Sequence, residues 1–148
     1  MMRNHQRSLT TDLTRCRVNL LREQVLAAIP RRDRSVDTLV VERPWGSFEQ
    51  FVCNEEVTVK VISVQPGQRL SLQRHDHRSE LWQVLDGPLD VCVGARTWSA
   101  VEGERVWVPQ GARHRLGNAG ARPGRVLEVA FGHFDEDDIH RIEDDYAR

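Results

Sequence analysis

At 148 residues the chain has the size of one domain and can bury a core without help from disulfides or a structural metal. Its 21 Lys plus Arg stand against 22 Asp plus Glu, a net charge of −1, which argues against a nucleic-acid or membrane-surface partner and leaves any small anion to find a local basic site. The three cysteines, Cys16, Cys53 and Cys92, form no Cys-x-x-Cys pair and no run approaches membrane-spanning length, so a soluble, cytoplasmic protein without a zinc knuckle is expected.

From Asp12 to Ile29, Leu21, Val25 and Ile29 recur at four-residue steps, with Thr10, Thr11 or Asp12 as N-cap and Pro30 as the stop. This predicts one amphipathic helix. The charged run Arg31 to Asp37 reads as a linker, so residues 1–37 form a helix and linker and residues 38–148 the main domain. Beyond Thr38 come short β-rich runs, TLVVE, EVTVKVISV, LWQVL, PLDVCV, RVWVP and RVLEVAF, separated by Gly67, Gly87, Gly94, Gly103, Gly111 and Gly124. Val57, Val59 and Val61 alternate with Thr58 and Lys60, which predicts a half-buried strand with the valines in the core. Many short strands with glycine turns predict an all-β fold, a closed antiparallel barrel or jelly roll. The acidic tail after Phe134 is expected to end in a short helix around Ile139 and Ile142.

Between Pro66 and Gly87 the chain concentrates Gln73, His75, His77 and Glu80, the donors a borderline or hard divalent ion uses. On a continuous strand Gln73, His75 and His77 share a face, and a turn can return Glu80 to it. A second segment, Gly103 to Asn118, adds His114 after the Pro109-Gln110-Gly111 turn, and a barrel interior can bring the two segments together. Both follow the paired cupin signature in spacing and order. The predicted ligands are Gln73, His75, Glu80 and His114, with His77 replacing Gln73 if a bulge shifts the strand. The alternative is a metal-free barrel in which these histidines are ordinary satisfied polar groups.

The chain further resembles the cupin domain of type II phosphomannose isomerases, the C-terminal half of bifunctional isomerase and guanylyltransferase enzymes. The resemblance rests on ERPWGSF (42–48), VKVISVQPGQRLSLQRHDHRSELW (59–82), VPQGARHRL (108–116) and EDDIHRIEDDYAR (136–148). It implies a cupin barrel that interconverts mannose 6-phosphate and fructose 6-phosphate with one divalent metal, zinc first, with manganese, iron or nickel as alternatives. A homodimer is expected by fold analogy. The pattern is departed from at Leu81 (a His in the family), Gly117 (a Glu) and Ala130 (a Gln). Nucleotidyl transfer is not expected, because the first 37 residues carry no Gly-rich nucleotide loop.

Aldose-ketose isomerisation needs a base of near-neutral pKa, an electrophile at the carbonyl and a phosphate anchor. Arg78 is a candidate for both catalysis and phosphate binding through its guanidinium fork. Lys60 and Arg115 are secondary anchors, Glu128 is the candidate base, and His77 is its rival if it is not a ligand. Two other functions fit the same residues: a sugar or sugar-phosphate binding module without turnover, and an iron-dependent dioxygenase.

Overall fold

The computed structural model describes residues 32–146; the helix expected from Asp12 to Ile29 lies outside them. After a 3₁₀ turn at Ser35–Asp37 the described chain is built from strands: β1 (Leu39–Arg43), β2 (Gly46–Gln50), β3 (Val57–Val64), β4 (Leu72–Arg74), β5 (Arg78–Asp86), β6 (Leu89–Val93), β7 (Arg96–Ala100), β8 (Arg105–Val108), β9 (His114–Gly117), β10 (Gly124–Gly132) and β11 (His140–Glu143). β1 and β2 pair as a separate hairpin. The other strands form a four-stranded sheet, β3-β10-β5-β8, and a five-stranded sheet, β11-β4-β9-β6-β7. The two sheets enclose a common apolar core of Val64, Trp82, Val84, Leu89, Val91, Ala100, Val106, Val108, Leu116 and Val126. This is the expected cupin jelly roll. Among the described residues no helix is long and apolar enough to cross a membrane.

The long strand β5 lies between β10 and β8 and is buried on both faces. Trp82 and Val84 face the barrel core, whereas Leu81 packs outside the sheet with Val129, Phe131, Phe51, Val52 and Trp107. That second apolar layer explains why LWQVL reads as a continuous hydrophobic run rather than an alternating one. Leu81, Leu89 and Leu116 are fully buried, each contributing roughly 1.5–3 kcal/mol of hydrophobic stabilisation.

Two details differ from the sequence expectation. On β3, Ile62 and Val64 pack toward the core while Val59 and Val61 are more than half exposed on the opposite face. Either face of β3 carries apolar side chains, so alternation alone did not say which turns inward. The chain after Phe134 is not a helix around Ile139 and Ile142: a 3₁₀ turn at Glu136–Asp138 is followed by β11, which pairs with the otherwise open edge of β4. An unsatisfied strand edge won over a weak helical signal.

Backbone bonds tie the two motif segments to each other. Gly111, at φ +77° in the turn after β8, donates its N–H to His75 O at 2.8 Å, and Gly67, at φ +73°, donates to Asn118 O at 2.8 Å. Asn118 then bonds Val64 O and Arg122 O, both at 2.8 Å. Gly124 is required for a different reason. A Cβ there would overlap Leu89 Cδ2 and lie 3.1 Å from Asp86 O, so Gly124→Ala is expected to lower stability by about 1–3 kcal/mol in urea unfolding. An unchanged midpoint would show that the β6 end yields freely.

Candidate metal centre

Period-two pleating along β5 aims Arg78, Glu80 and Trp82 into one end of the barrel. His114 opens β9 directly across from Gln73 on β4, and His75 sits just beyond the end of β4. His75, Glu80 and His114 are all at most 2% exposed, and their ligating atoms lie within 4.8 Å of one another.

The hydrogen bonds fix which imidazole nitrogens carry the proton. His75 Nδ1 lies 3.1 Å from Asp138 O and His114 Nδ1 2.9 Å from Ala112 O. A carbonyl only accepts, so each Nδ1 carries the proton and each Nε2 keeps a lone pair. His75 Nε2 is 3.1 Å from Glu80 Oε1, and His114 Nε2 is 3.7 Å from Glu80 Oε2. Among the described residues, buried His114 Nε2 has no hydrogen-bond partner. Arg78 Nη2 lies 3.1 Å from His75 Nε2 and meets that lone pair, whereas the His114 lone pair faces the Glu80 carboxylate, an arrangement that repels unless a cation or proton stands between them. The donor set therefore fits a divalent ion, with second carbonyl contacts of the kind that orient ligating histidines.

Glu80 is also held by Arg78 Nε at 3.1 Å and Trp82 Nε1 at 3.2 Å. Burial opposes its charge, but with a proton on the imidazoles the bond to His75, their positive charge and the Arg78 guanidinium outweigh that cost and hold it below the usual carboxylate range. Burial keeps His114 below the ordinary imidazole range, favouring the neutral, lone-pair-bearing form. Glu128 moves the other way: burial, reinforced by the nearby Glu80 charge, raises it to about 7.

A cavity of about 230 Å³ gathers Gln73, Arg78, Glu80, Glu128, Lys60 and Arg141 in its wall. Gln73 Oε1 accepts from Ser71 Oγ at 2.7 Å. Lys60 pairs with Glu136 at 3.1 Å and stacks on Phe134, 3.7 Å from the ring centroid; Arg78 stacks on the same ring at 4.4 Å. Two of the expected residues are not brought there. His77 is exposed, its backbone N–H donating to Asp138 Oδ2 at 3.0 Å, because β4 ends at Arg74 and the following turn breaks the alternation that would have aligned His77 with Gln73. Arg115 follows inward-facing His114 on β9, so pleating turns it to the outer face, where it pairs with Glu143 at 3.0 Å. Asp138, not among the predicted site residues, also serves this site. Its carbonyl orients His75, its carboxylate accepts the N–H groups of Asp76 and His77, and it lies 3.6 Å from Arg78. Arg141 was missed as a cavity residue because its position depends on β11 pairing with β4.

A jelly-roll barrel with inward His, Glu and His side chains defines the chain as a cupin with a candidate metal centre. It belongs to the mannose-6-phosphate isomerase C-terminal family, whose model matches residues 31–144. The alginate biosynthesis protein AlgA of Pseudomonas aeruginosa is 42% identical over 109 residues, 73% of this chain and 23% of that protein. The xanthan biosynthesis protein XanB of Xanthomonas campestris pv. campestris is 39% identical over 129 residues, 85% of this chain and 28% of that one. The mannose-1-phosphate guanylyltransferase ManC of Salmonella typhimurium is 40% identical over 109 residues, 73% of this chain and 23% of ManC. The chain thus spans about a quarter of the length of these relatives. Among solved structures, the capsular polysaccharide assembling protein CapF of Staphylococcus aureus matches with TM-score 0.54 at 22% identity, covering 72% of this chain and 34% of CapF. Oxalate oxidase in complex with the substrate analogue glycolate matches with TM-score 0.53 at 18% identity, covering 58% of this chain and 46% of that one. These two likenesses concern the fold.

Glu128 makes stability depend on pH in a defined direction. Its carboxyl holds a proton up to about 7 in the folded protein and only to about 4.5 when unfolded, so between those values the folded state binds more protons. The metal-free protein should therefore keep this contribution below about pH 4.5 and lose it as pH rises through about 7, a change on the order of 3 kcal/mol. Glu128→Gln removes the dependence, so urea unfolding should find the variant more stable than wild type at pH 8 and close to it at pH 5. Parallel pH curves for the two proteins would refute this.

Proposed function

We propose that the chain interconverts mannose 6-phosphate and fructose 6-phosphate with a divalent ion, zinc, held by Gln73, His75, Glu80 and His114. The observation that carries this reading is the unpartnered His114 Nε2 facing Glu80, which itself stands in the wall of a cavity that also holds a carboxyl of near-neutral pKa. Family membership supports the substrate. A bound ion would polarise the sugar's carbonyl or orient its hydroxyls.

The chain's own groups supply the rest. Glu128, in the cavity wall and poised near pH 7, takes the proton from one carbon of the sugar and returns it to the neighbouring one. Arg78, fixed by Asp135 O at 3.0 Å and by the Phe134 ring, offers donors to the enediolate oxygen. Lys60, with Arg141 beside it in the cavity wall, anchors the phosphate.

Elemental analysis alongside a coupled mannose 6-phosphate assay tests the proposal. About one divalent metal per chain is expected. His114→Ala should lose it, Gln73→Ala should bind it more weakly, and His77→Ala should retain it. Full occupancy in His114→Ala would remove the site, and metal loss in His77→Ala would restore His77 as a ligand. Arg78→Lys should keep fold and metal but lower kcat about a hundredfold, since an ammonium cannot reproduce the planar fork. Wild-type kinetics in that variant would return Arg78 to a purely structural role.

A further inference from the structure

A second and larger cavity, about 590 Å³, lies on the outer face of the five-stranded sheet, away from the candidate metal centre. Its floor is formed by the side chains of Leu72 and Cys92, with the backbone of Val91, whose side chain belongs to the core, beside them, and Arg69, Arg113 and Arg115 stand in its wall. Apolar lining with a few convergent polar groups at this volume is the make-up of a small-molecule site.

The arginines already hold anions, and these belong to the chain's own tail. Arg69 donates through Nε and Nη2 to the two carboxylate oxygens of Asp145, at 2.7 and 3.1 Å, and Arg115 Nη2 donates to Glu143 Oε2 at 3.0 Å. Tyr146 Oη donates to Gln68 Oε1 at 2.7 Å across the same rim. Arg115 Nε is buried with no hydrogen-bond partner. Arg113 uses Nε on Gly94 O at 2.9 Å and pairs with no carboxylate among the described residues. Gly117 keeps the groove open, since a Cβ there would lie 3.3 Å from Arg69 Cβ. Asp90 is the one carboxylate in the wall besides Glu143.

We infer that this outer groove binds a small organic phosphate, its phosphate on the arginines and its body on the apolar floor, in competition with the tail carboxylate of Asp145. The bidentate Arg69–Asp145 pair has the geometry a phosphate would take over. The site is independent of the proposed isomerase reading, because none of its arginines faces the inner cavity.

Phenyl phosphate combines a dianion with an apolar body, so it serves as the probe in ¹H–¹⁵N NMR titrations of the full chain, with inorganic phosphate and phenol as separate arms. Saturable shifts are expected at the amides of Cys92, Thr97, Arg115 and Gly117, with phenyl phosphate binding more tightly than either fragment. Arg113→Gln, at an exposed position, should leave the fold intact and weaken Kd about tenfold, the loss of one charge-assisted bond. Asp145→Asn should tighten Kd, because it removes the internal competitor; a merely structural ion pair would not produce tightening. Equal Kd in wild type and Arg113→Gln, equal binding of phenol and phenyl phosphate, no tightening in Asp145→Asn, or shifts confined to Lys60, Trp82 and Glu128 would each overturn the inference.

Discussion

Glu80 is a carboxylate placed where water does not reach, and much of the described chain is arranged around that charge. An isolated buried carboxylate costs several kcal/mol, so it persists only if its oxygens are bonded and its charge is opposed. Arg78 and Trp82, two positions either side along β5, provide the donors. Arg78 is then itself a buried cation that needs partners, and it finds them in Asp135 O, Asp138 and the face of Phe134. Those partners all lie between β10 and β11. Closing this end of the barrel with residues 134–138 is thus an electrostatic consequence of burying one acid on β5.

The same logic separates two acids that share a cavity. Glu80 and Glu128 both point inward from adjacent strands, Glu128 standing in register with Trp82 and Lys60. Arg78 and the imidazoles converge on Glu80, so it stays ionised; Glu128 lacks such a convergence, and burial beside a negative neighbour leaves it with a proton near neutrality. Pushing two carboxyls apart in this way is how one site acquires both a permanent anion and a titrating acid or base. Trp82 marks the boundary between this polar end and the apolar core, packing edge-on to His114 at 5.6 Å while its body belongs to the core.

What could be read from the sequence follows from what is local. Spacing within each motif is local, so His75, Glu80 and His114 were recognisable, as was the jelly roll from its many short strands and glycine turns. The end of β4 was not, since nothing in QRHDHRSE announces that the chain turns after Arg74. His77 stayed an alternative to Gln73 for that reason. Arg115 was named a secondary anchor, although pleating sends a residue adjacent to an inward histidine to the other face. The particular roles of Asp138 and Arg141 were not legible, since they depend on β11 joining β4, a pairing between segments more than sixty residues apart.

Pleating also sorts the three places where the chain departs from the family pattern. Leu81 faces away from the cavity and is sealed into the outer apolar layer with Val129 and Phe131, where a histidine would need a partner that this layer does not offer. Gly117 lies on the outer face of β9 beside Asp90, so its missing carboxylate changes the outer groove and leaves the inner site alone. Ala130 differs from both. It is fully buried on the inward row of β10 and stands in register with Glu80 on one side and Thr58 on the other. A glutamine there would bring an amide up to the buried carboxylate, whereas alanine leaves Glu80 to its present donors. Of the three departures, only this one alters the surroundings of the charge on which the site is built.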